Sequence, residues 1–589
     1  MELPQEMFMS TALFLAIPES AEKRLSIALE IYEYSCKQKI SYPTPTLLNA
    51  RTNFHQLSSC FKINIDDDLR AIYHGVENMA QISKYSGWIW VYLWHIRSRG
   101  WDIRWQKWFS GWVLPRIKVI NDTAVAVNQL WSRIGAISVT LDIRHKDIND
   151  FLELQTETGD IRRKSFDIFP AVSFPDLFMQ RVEANKEWTL FDPKEIKNKY
   201  WKNLEDHFGK EFEEFYIQLE NDKDMTLSST VNAKELFKTY MKTVVETGMP
   251  YAFFRDTVNR FNPNSHVWNI YSTQLCVEIC QNTSPTKFIE EVWNDWEVSI
   301  KYKPWDTVVC NLLSLNLAKI DFKNIIELSK ITEIAARILD NVITMNFYPI
   351  KEAEITALKY RSVWLWYMWF AEYLAVKKIS YDSVEAKEHA NIIFEKLSYH
   401  FLSASNKLAN ERWSYSLFEW SNYSKWILFG RDKNRFLENT EMKDQRWALI
   451  DNIQKTWVRF WYHFAPAPNT SSSSVVWTTA WLLPVYKKIF TETNRFSSNV
   501  RVAPGINKEN FRFYKEYVNM DMNKVIDLMS VIYKWIDQSI SFERMINPER
   551  ITPKDLYDYY FKSRRQWIKT IYYVRSMSMD VQECVSCSG

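Results

Sequence analysis

Eleven glycines in a chain of 589 residues set the tightest limit on what this sequence can fold into. Turns with positive φ are open to glycine at little cost and to few other residues, and a globular chain ordinarily gives about 7% of its length to glycine. Tryptophan, by contrast, is abundant, at 27 residues. Glycine and tryptophan together number 38, close to the usual share of glycine alone. Either this chain closes its turns by unusual means, or some positions written as tryptophan stand where a fold needs glycine.

The length allows one very large domain or a few ordinary ones, with burial extensive enough that disulfides are not needed for stability. A formal charge of +3, from 74 basic and 71 acidic residues, gives no electrostatic case for nucleic acid or for a membrane surface. The 16% aromatic content on its own would suit a stacking platform for single-stranded nucleic acid; the balanced charge argues against it, because backbone affinity needs a basic groove. Cysteines at 36, 60, 276, 280, 310, 584 and 587 form neither a secreted disulfide framework nor a doubled CxxC zinc pattern, so no metal site is expected. A reducing cytoplasm is the natural compartment. Acidic rather than basic residues precede the apolar patch of MELPQEMFMSTALFLAI, which argues against a signal peptide. The most apolar run, VWLWYMWFAEYLAV at 363–376, is too short to span a bilayer and contains Glu372.

Helical spacing over 18–40 ends at the turn SYPTPT. Beyond about 56, short β-branched stretches alternate with longer helix-patterned ones. ISVTLDI (137–143), DIFPAVSF (167–174) and TVVCNLLSLNL (307–317) read as strands; PDLFMQRVEANKEW and FKNIIELSKITEIAARILDNVI read as amphipathic helices. The pattern predicts an α/β architecture in one large domain. APAPNTSSSS at 465–474 reads as a functional loop inside structured sequence, and the last fourteen or so residues as a mobile tail.

In YSTQLCVEIC (271–280), Gln274, Cys276 and Glu278 alternate, so an extended segment would set an amide, a thiol and a carboxylate on one face. An ordinary half-buried strand would fill that face with apolar groups. Singly such signals are weak, since a lone strand cysteine is usually a small buried hydrophobe. Their order is specific: PTPTLLNA (43–50), QLSSCF (56–61), IDDDL (65–69), QLCVEI (274–279), VVCNL (308–312), APNTSSSS (467–474), KTIYY (569–573) and ECVSC (583–587). In that order, over nearly the whole chain, they resemble the large, catalytic subunit of class I ribonucleotide reductase.

The resemblance implies a ten-stranded α/β barrel with a central finger loop carrying Cys276, a partial N-terminal helical region over 1–55, a catalytic domain over 56–575 and a redox tail over 576–589. It implies radical-based reduction of ribonucleoside diphosphates to deoxyribonucleoside diphosphates. Cys276 would be the thiyl radical, Glu278 the base for the substrate 3′-hydroxyl, and Gln274, where many relatives carry Asn, an orienting amide. Cys60 and Cys310, 250 positions apart, would deliver two electrons and end as a disulfide, which requires the fold to bring their Cα atoms within about 4.4–6.8 Å. Cys584 and Cys587 would re-reduce that disulfide and be reduced in turn by thioredoxin or glutaredoxin. The fourteen residues from Tyr573 to Cys587 can extend about 46–50 Å, a shuttle's reach.

Tyr572 and Tyr573 match a stacked pair that relays the radical from a separate small subunit, whose metal cofactor supplies it, so no cofactor is expected in this chain itself. That pair separates the chain from the adenosylcobalamin-dependent class II enzymes. Thr44, Ser59 and Asn469, Thr470, Ser471 and Ser472 match substrate contacts, the last four cradling a diphosphate. Asp68 and Arg97 match contacts to a dNTP or ATP effector, and 128–136, NQLWSRIGA, the loop through which the effector selects the base. A homodimer of large subunits is implied. Nothing preceding the barrel resembles the ATP-cone domain, and much of the helical N-terminal domain is expected to be missing. A non-catalytic relative that only binds nucleotides is the reading from another class; the complete set of cysteines, Glu278 and both tyrosines argues against it.

Trp88, Trp90, Trp105, Trp108, Trp112, Trp131, Trp268, Trp364, Trp366, Trp369, Trp413, Trp420, Trp426, Trp477 and Trp567 stand at family glycine positions. Some bacterial lineages read the codon UGA as glycine, and translating it as tryptophan would produce this pattern. Trp188 and Trp447 fall outside it.

Overall fold

The computed structural model describes residues 3–101, 111, 113–128, 133–304, 306–432, 440–466, 468, 470–480, 482–493, 498–547 and 549–576. Two helices, α1 (Pro4–Leu15) and α2 (Ala21–Cys36), open the chain. The barrel begins with β1 (Cys60–Asn64), followed by helix α3 (Leu69–Lys84), β2 (Trp88–Tyr92), β3 (Ile137–Asp142) and β4 (Ile168–Phe174). Next come helix α4 (Asp176–Glu183) and β5 (Tyr251–Phe254), then β6 (Val308–Val309) and β7 (Leu312–Asn316). Helix α5 (Ile325–Met345), β8 (Trp364–Met368), helix α6 (Val384–Arg412) and β9 (Thr570–Ile571) complete the frame.

Strands β1 to β5 form five adjacent parallel neighbours. Each is buried along almost its whole length, as a parallel sheet covered on both faces requires. Helix α3 supplies part of that cover. Asp68 caps its N-terminus by accepting from the amides of Arg70 and Ala71, and Ala71, Ile72, Gly75, Met79 and Ile82 recur at helical spacing on its buried side. At Gly75 a Cβ would come within 2.9 Å of Ile65 Cδ1, so the helix lies close against the sheet.

The sheet then closes. Antiparallel β9 pairs with β5; Tyr572 N donates to Phe542 O, Ser541 N to Pro466 O, and Phe464 bridges Leu365 in β8. Strand β8 runs parallel to β7, and β6, two residues before β7, pairs antiparallel with β1. With β6 and β7 counted as the two halves of one broken strand, ten extended segments thus ring one interior, as the expected barrel requires; two of them, near 464 and 541, are held by isolated bonds rather than regular ladders. The strand predicted over 307–317 is broken at Cys310 and Asn311, where the chain passes from one sheet to the other. The helix predicted over 175–188 ends at Glu183, and Glu187–Leu190 is a strand.

The N-terminal helices dock on α5. Asn341 donates to Leu15 O and Glu19 Oε1, and Arg337 and Arg412 both pair with Glu19. Among the described residues no helix is long and apolar enough to cross a membrane.

Candidate active site

The interior holds a buried cluster that includes Cys60, Cys276 and Cys310 together with Trp88, Trp90, Tyr251, Trp364, Trp366 and Tyr572. Three sulfurs distant in sequence meet there, at 4%, 5% and 0% exposure.

Cys276 lies on a loop that enters the barrel between β5 and β6. The loop is not extended at its tip. Leu275–Val277 is a turn, closed by Val277 N donating to Gln274 O, with Val277 at φ +62. This corrects the one-face expectation: the turn instead folds Gln274 back so that its Nε2 donates to Glu278 Oε1. At the base, the buried ammonium of Lys62 on β1 donates to Ser272 O at 2.5 Å and Gln281 O at 2.7 Å, one carbonyl from each limb. Burial pushes the pKa of Lys62 down to about 7.

Glu278 is 1% exposed. Burial pushes its carboxyl up to about 8, against the pull of hydrogen bonds from Ser541 and Gln274. Ser541 Oγ donates to Glu278 Oε2 at 3.0 Å, and Ser539 N to its main-chain oxygen at 2.8 Å. A carboxyl poised near neutrality suits proton transfer. Gln274 Oε1 is buried with no hydrogen-bond partner among the described residues.

Cys60 and Cys310 face each other across the β1–β6 pairing. Cys310 N donates to Cys60 O at 2.8 Å, Ser59 N to Cys310 O at 3.1 Å, and both thiols are free. Burial, then hydrogen bonding to Cys60, raises the Cys310 thiol well above its ordinary pKa, with the nearby charges of Glu278 and Cys276 adding to the effect.

Tyr572 Oη donates to Cys276 Sγ at 3.6 Å. The rings of Tyr572 and Tyr573 lie 4.5 Å apart at 59°, tilted rather than stacked as expected. Tyr251, which sequence reasoning missed, packs against both, at 4.7 and 5.0 Å; its position in β5 beside β9 becomes visible only once the barrel closes.

The remaining expected contacts are distributed as follows. Ser59 is buried beside the cysteine pair, and Thr44 is half-buried at the start of the short helix Thr44–Asn49. Ser472 is buried within Thr470–Val475, whereas Asn469 and the side chains of Thr470 and Ser471 lie outside the described residues. So do Cys584, Cys587 and residues 129–132 of the specificity loop. Arg133, from that loop but not singled out by sequence, reaches the cluster. Its guanidinium donates to Ser59 O at 2.7 Å and Ser86 O at 3.1 Å, stacks 3.7 Å from the Trp88 ring, and lies near all three thiols. Asp68 and Arg97 sit beyond the ends of β1 and β2 without pairing: Asp68 caps α3, and Arg97 forks onto Asp67 at 2.9 and 3.1 Å.

Comparison with known proteins agrees with this geometry. The family model "Ribonucleotide reductase, barrel domain" matches residues 58–574, and "Ribonucleotide reductase, all-alpha domain" matches residues 1–55. A protein of Synechocystis named ribonucleoside-diphosphate reductase subunit alpha is 37% identical over 100% of this chain and 76% of its own length. Proteins of the same name from Helicobacter pylori and Treponema pallidum are 37% and 36% identical, over 99% and 100% of this chain and 78% and 69% of their own. With its barrel, its three converging thiols and its tyrosine pair accounted for together, this chain belongs to the ribonucleotide reductase large-subunit family.

Proposed function

We propose that the chain is the catalytic subunit of a ribonucleoside-diphosphate reductase, converting ribonucleoside diphosphates to 2′-deoxyribonucleoside diphosphates. The observation that carries this reading is the meeting of Cys60, Cys276 and Cys310 in one buried cluster with Tyr572 in contact with Cys276.

In this reading the phenols of Tyr573 and Tyr572 pass an oxidising equivalent, delivered by the metal cofactor of a small partner subunit, to the Cys276 sulfur. The thiyl radical removes the substrate's 3′ hydrogen, and Glu278 takes the 3′-hydroxyl proton. The 2′-hydroxyl leaves as water with a proton from the Cys60–Cys310 pair. The pair supplies two electrons and closes to a disulfide, and Cys276 returns its hydrogen to the 3′ carbon. One ribonucleotide and two thiols thus become one deoxyribonucleotide, one disulfide and one water. Gln274 orients both Glu278 and the sugar hydroxyls, and Arg133 holds Ser59 at the cysteine pair.

Thr44, Ser59, Asn469, Thr470, Ser471 and Ser472 are proposed to bind substrate. Cys584 and Cys587 restore the internal thiols and are reduced by thioredoxin or glutaredoxin. Asp68 and Arg97 are proposed as effector contacts in a homodimer controlled by dNTP or ATP; both capping bonds of Asp68 fall on Oδ1, which leaves Oδ2 for a ribose hydroxyl. The test is conversion of CDP to dCDP by the protein isolated from its own organism, with its small subunit and thioredoxin, where absence of product under every effector would reject the assignment.

A further inference from the structure

Sixteen non-glycine residues among those described have positive φ, and eight of them are tryptophan: Trp201, Trp369, Trp413, Trp420, Trp426, Trp457, Trp477 and Trp567. The other eight are Gln, Ser, Asn, Val, Asp, Arg, Lys and Phe, each type once. Left-handed backbone outside glycine favours Asn and Asp, not an indole. The left-handed region is costly for any L-residue with a Cβ, and eight such positions together would rival the whole stability of a typical domain.

Two of the eight are more restrictive still. Trp413 has φ 68 and ψ 171, and Trp457 has φ 65 and ψ −168. This region is essentially reserved for glycine. Both residues terminate helices, as does Trp201 at φ 55 and ψ 22. A glycine performs the same task elsewhere in the chain: Ala233–Thr247 ends at Gly248, with φ 78 and ψ −8. Packing offers no compensation at several of these sites, since Trp201, Trp413 and Trp420 are 90%, 75% and 71% exposed.

A second observation concerns the barrel interior. Trp90, Trp364 and Trp366 are buried among the catalytic cysteines, and their indole N–H groups have no partner among the described residues. Trp90 stands in register with Lys62, and Trp364 and Trp366 with Leu312 and Ser314. Close approach of a ligand to the backbone is one of the places where a strand carries glycine, and three indoles here pack in the same cluster as the thiols. Trp188 and Trp535 behave otherwise: Trp188 donates to Ile143 O and stacks on Tyr216, and Trp535 donates to Asn391 Oδ1.

We infer that the protein made in its own organism carries glycine at the eight positive-φ tryptophan positions and at 90, 364 and 366, and tryptophan at 188 and 535. Trp201 and Trp457 are added to the set by backbone geometry alone. The eight positive-φ positions require no assumption about function; the three barrel positions rest on the reductase reading, in which they clear the substrate cleft.

The test is gene sequencing combined with peptide mass spectrometry of protein isolated from the organism. The expected result is UGA codons and glycine peptides at the eleven positions, with UGG codons and tryptophan peptides at 188 and 535. Tryptophan in the native peptides at the positive-φ positions would overturn the inference, whatever the codon. A recombinant chain with glycine at the eleven positions is expected to unfold at a higher temperature than the tryptophan chain and to bind CDP where the latter does not. An unchanged or lowered midpoint would also count against the inference. A glycine chain that folds but fails to bind CDP would count against the reductase reading alone.

Discussion

Tyr572 Oη lies 3.6 Å from Cys276 Sγ, although 296 positions separate them in the chain. The contact exists because β9 closes the barrel against β5 and delivers the residue after it to the tip of the finger loop. Replacing Tyr572 with Phe keeps the ring packing and removes the redox-active O–H that donates to the sulfur. Turnover is expected to fall by about a thousandfold or more, equivalent to about 4 kcal/mol on the barrier. Thermal unfolding of the variant checks that the fold is unchanged.

The Cys60–Cys310 pair gives a stoichiometric test. The two residues share backbone bonds across β1 and β6, and both thiols are free. With the tail thiols removed by Cys584→Ser and Cys587→Ser, one turnover without external reductant is expected to consume two thiols per chain and to join these two residues in a tryptic digest. The Cys310→Ser variant is expected to consume none and to yield no deoxynucleotide.

Glu278 gives a pH dependence. Its folded-state pKa of about 8 lies above the ordinary carboxylate range. A general base must be ionised, so kcat/KM is expected to rise with pH through about 8 on the acid side of the profile. The stability sign is opposite. Between the unfolded value, about 4.3, and the folded one, the native state holds a proton the unfolded state has lost, so this group's contribution to stability falls as pH rises across that window. Glu278→Gln is expected to be inactive and to remove that part of the slope.

The finger loop, the tyrosine contact and the cysteine pair were legible in the sequence to different degrees. The order of motifs carried the barrel and the identities of Cys60, Cys276, Glu278 and Cys310. Spacing by two could not distinguish an extended face from the turn at Leu275–Val277, because both bring alternate side chains into proximity; only the positive φ of Val277 separates them. Arg133 and Ser541 approach the site from segments whose position depends on ring closure, so no local pattern marks them. The break at Cys310 and Asn311 was hidden because both sides of it are apolar and β-branched or Leu-rich, as a continuous buried strand would be.

Asp340 tests the frame. Its carboxylate is buried and takes Arg361 Nε at 2.6 Å, Arg459 Nε at 2.8 Å and Arg412 at 2.9 Å, tying α5 to α6 and to the segment before the serine-rich loop. Burial pushes its pKa up, but the three guanidinium groups outweigh that and hold it at about 2. Asp340→Asn leaves three cations facing a neutral group and is expected to destabilise the protein by about 3–5 kcal/mol, read by denaturant unfolding. The wild-type contribution is present above the unfolded pKa, about 3.9, and is expected to be lost as pH falls toward 2.

The central claim is that Cys276 is the radical centre of a ribonucleotide-reducing site. The most direct measurement is dCDP formation from CDP by the complete system of the chain with glycine at the eleven positions, its small subunit and thioredoxin, comparing that parent with its Cys276→Ser variant. The account expects product from the parent and none from the variant, with CDP binding retained in both; equal turnover by the two proteins would contradict it.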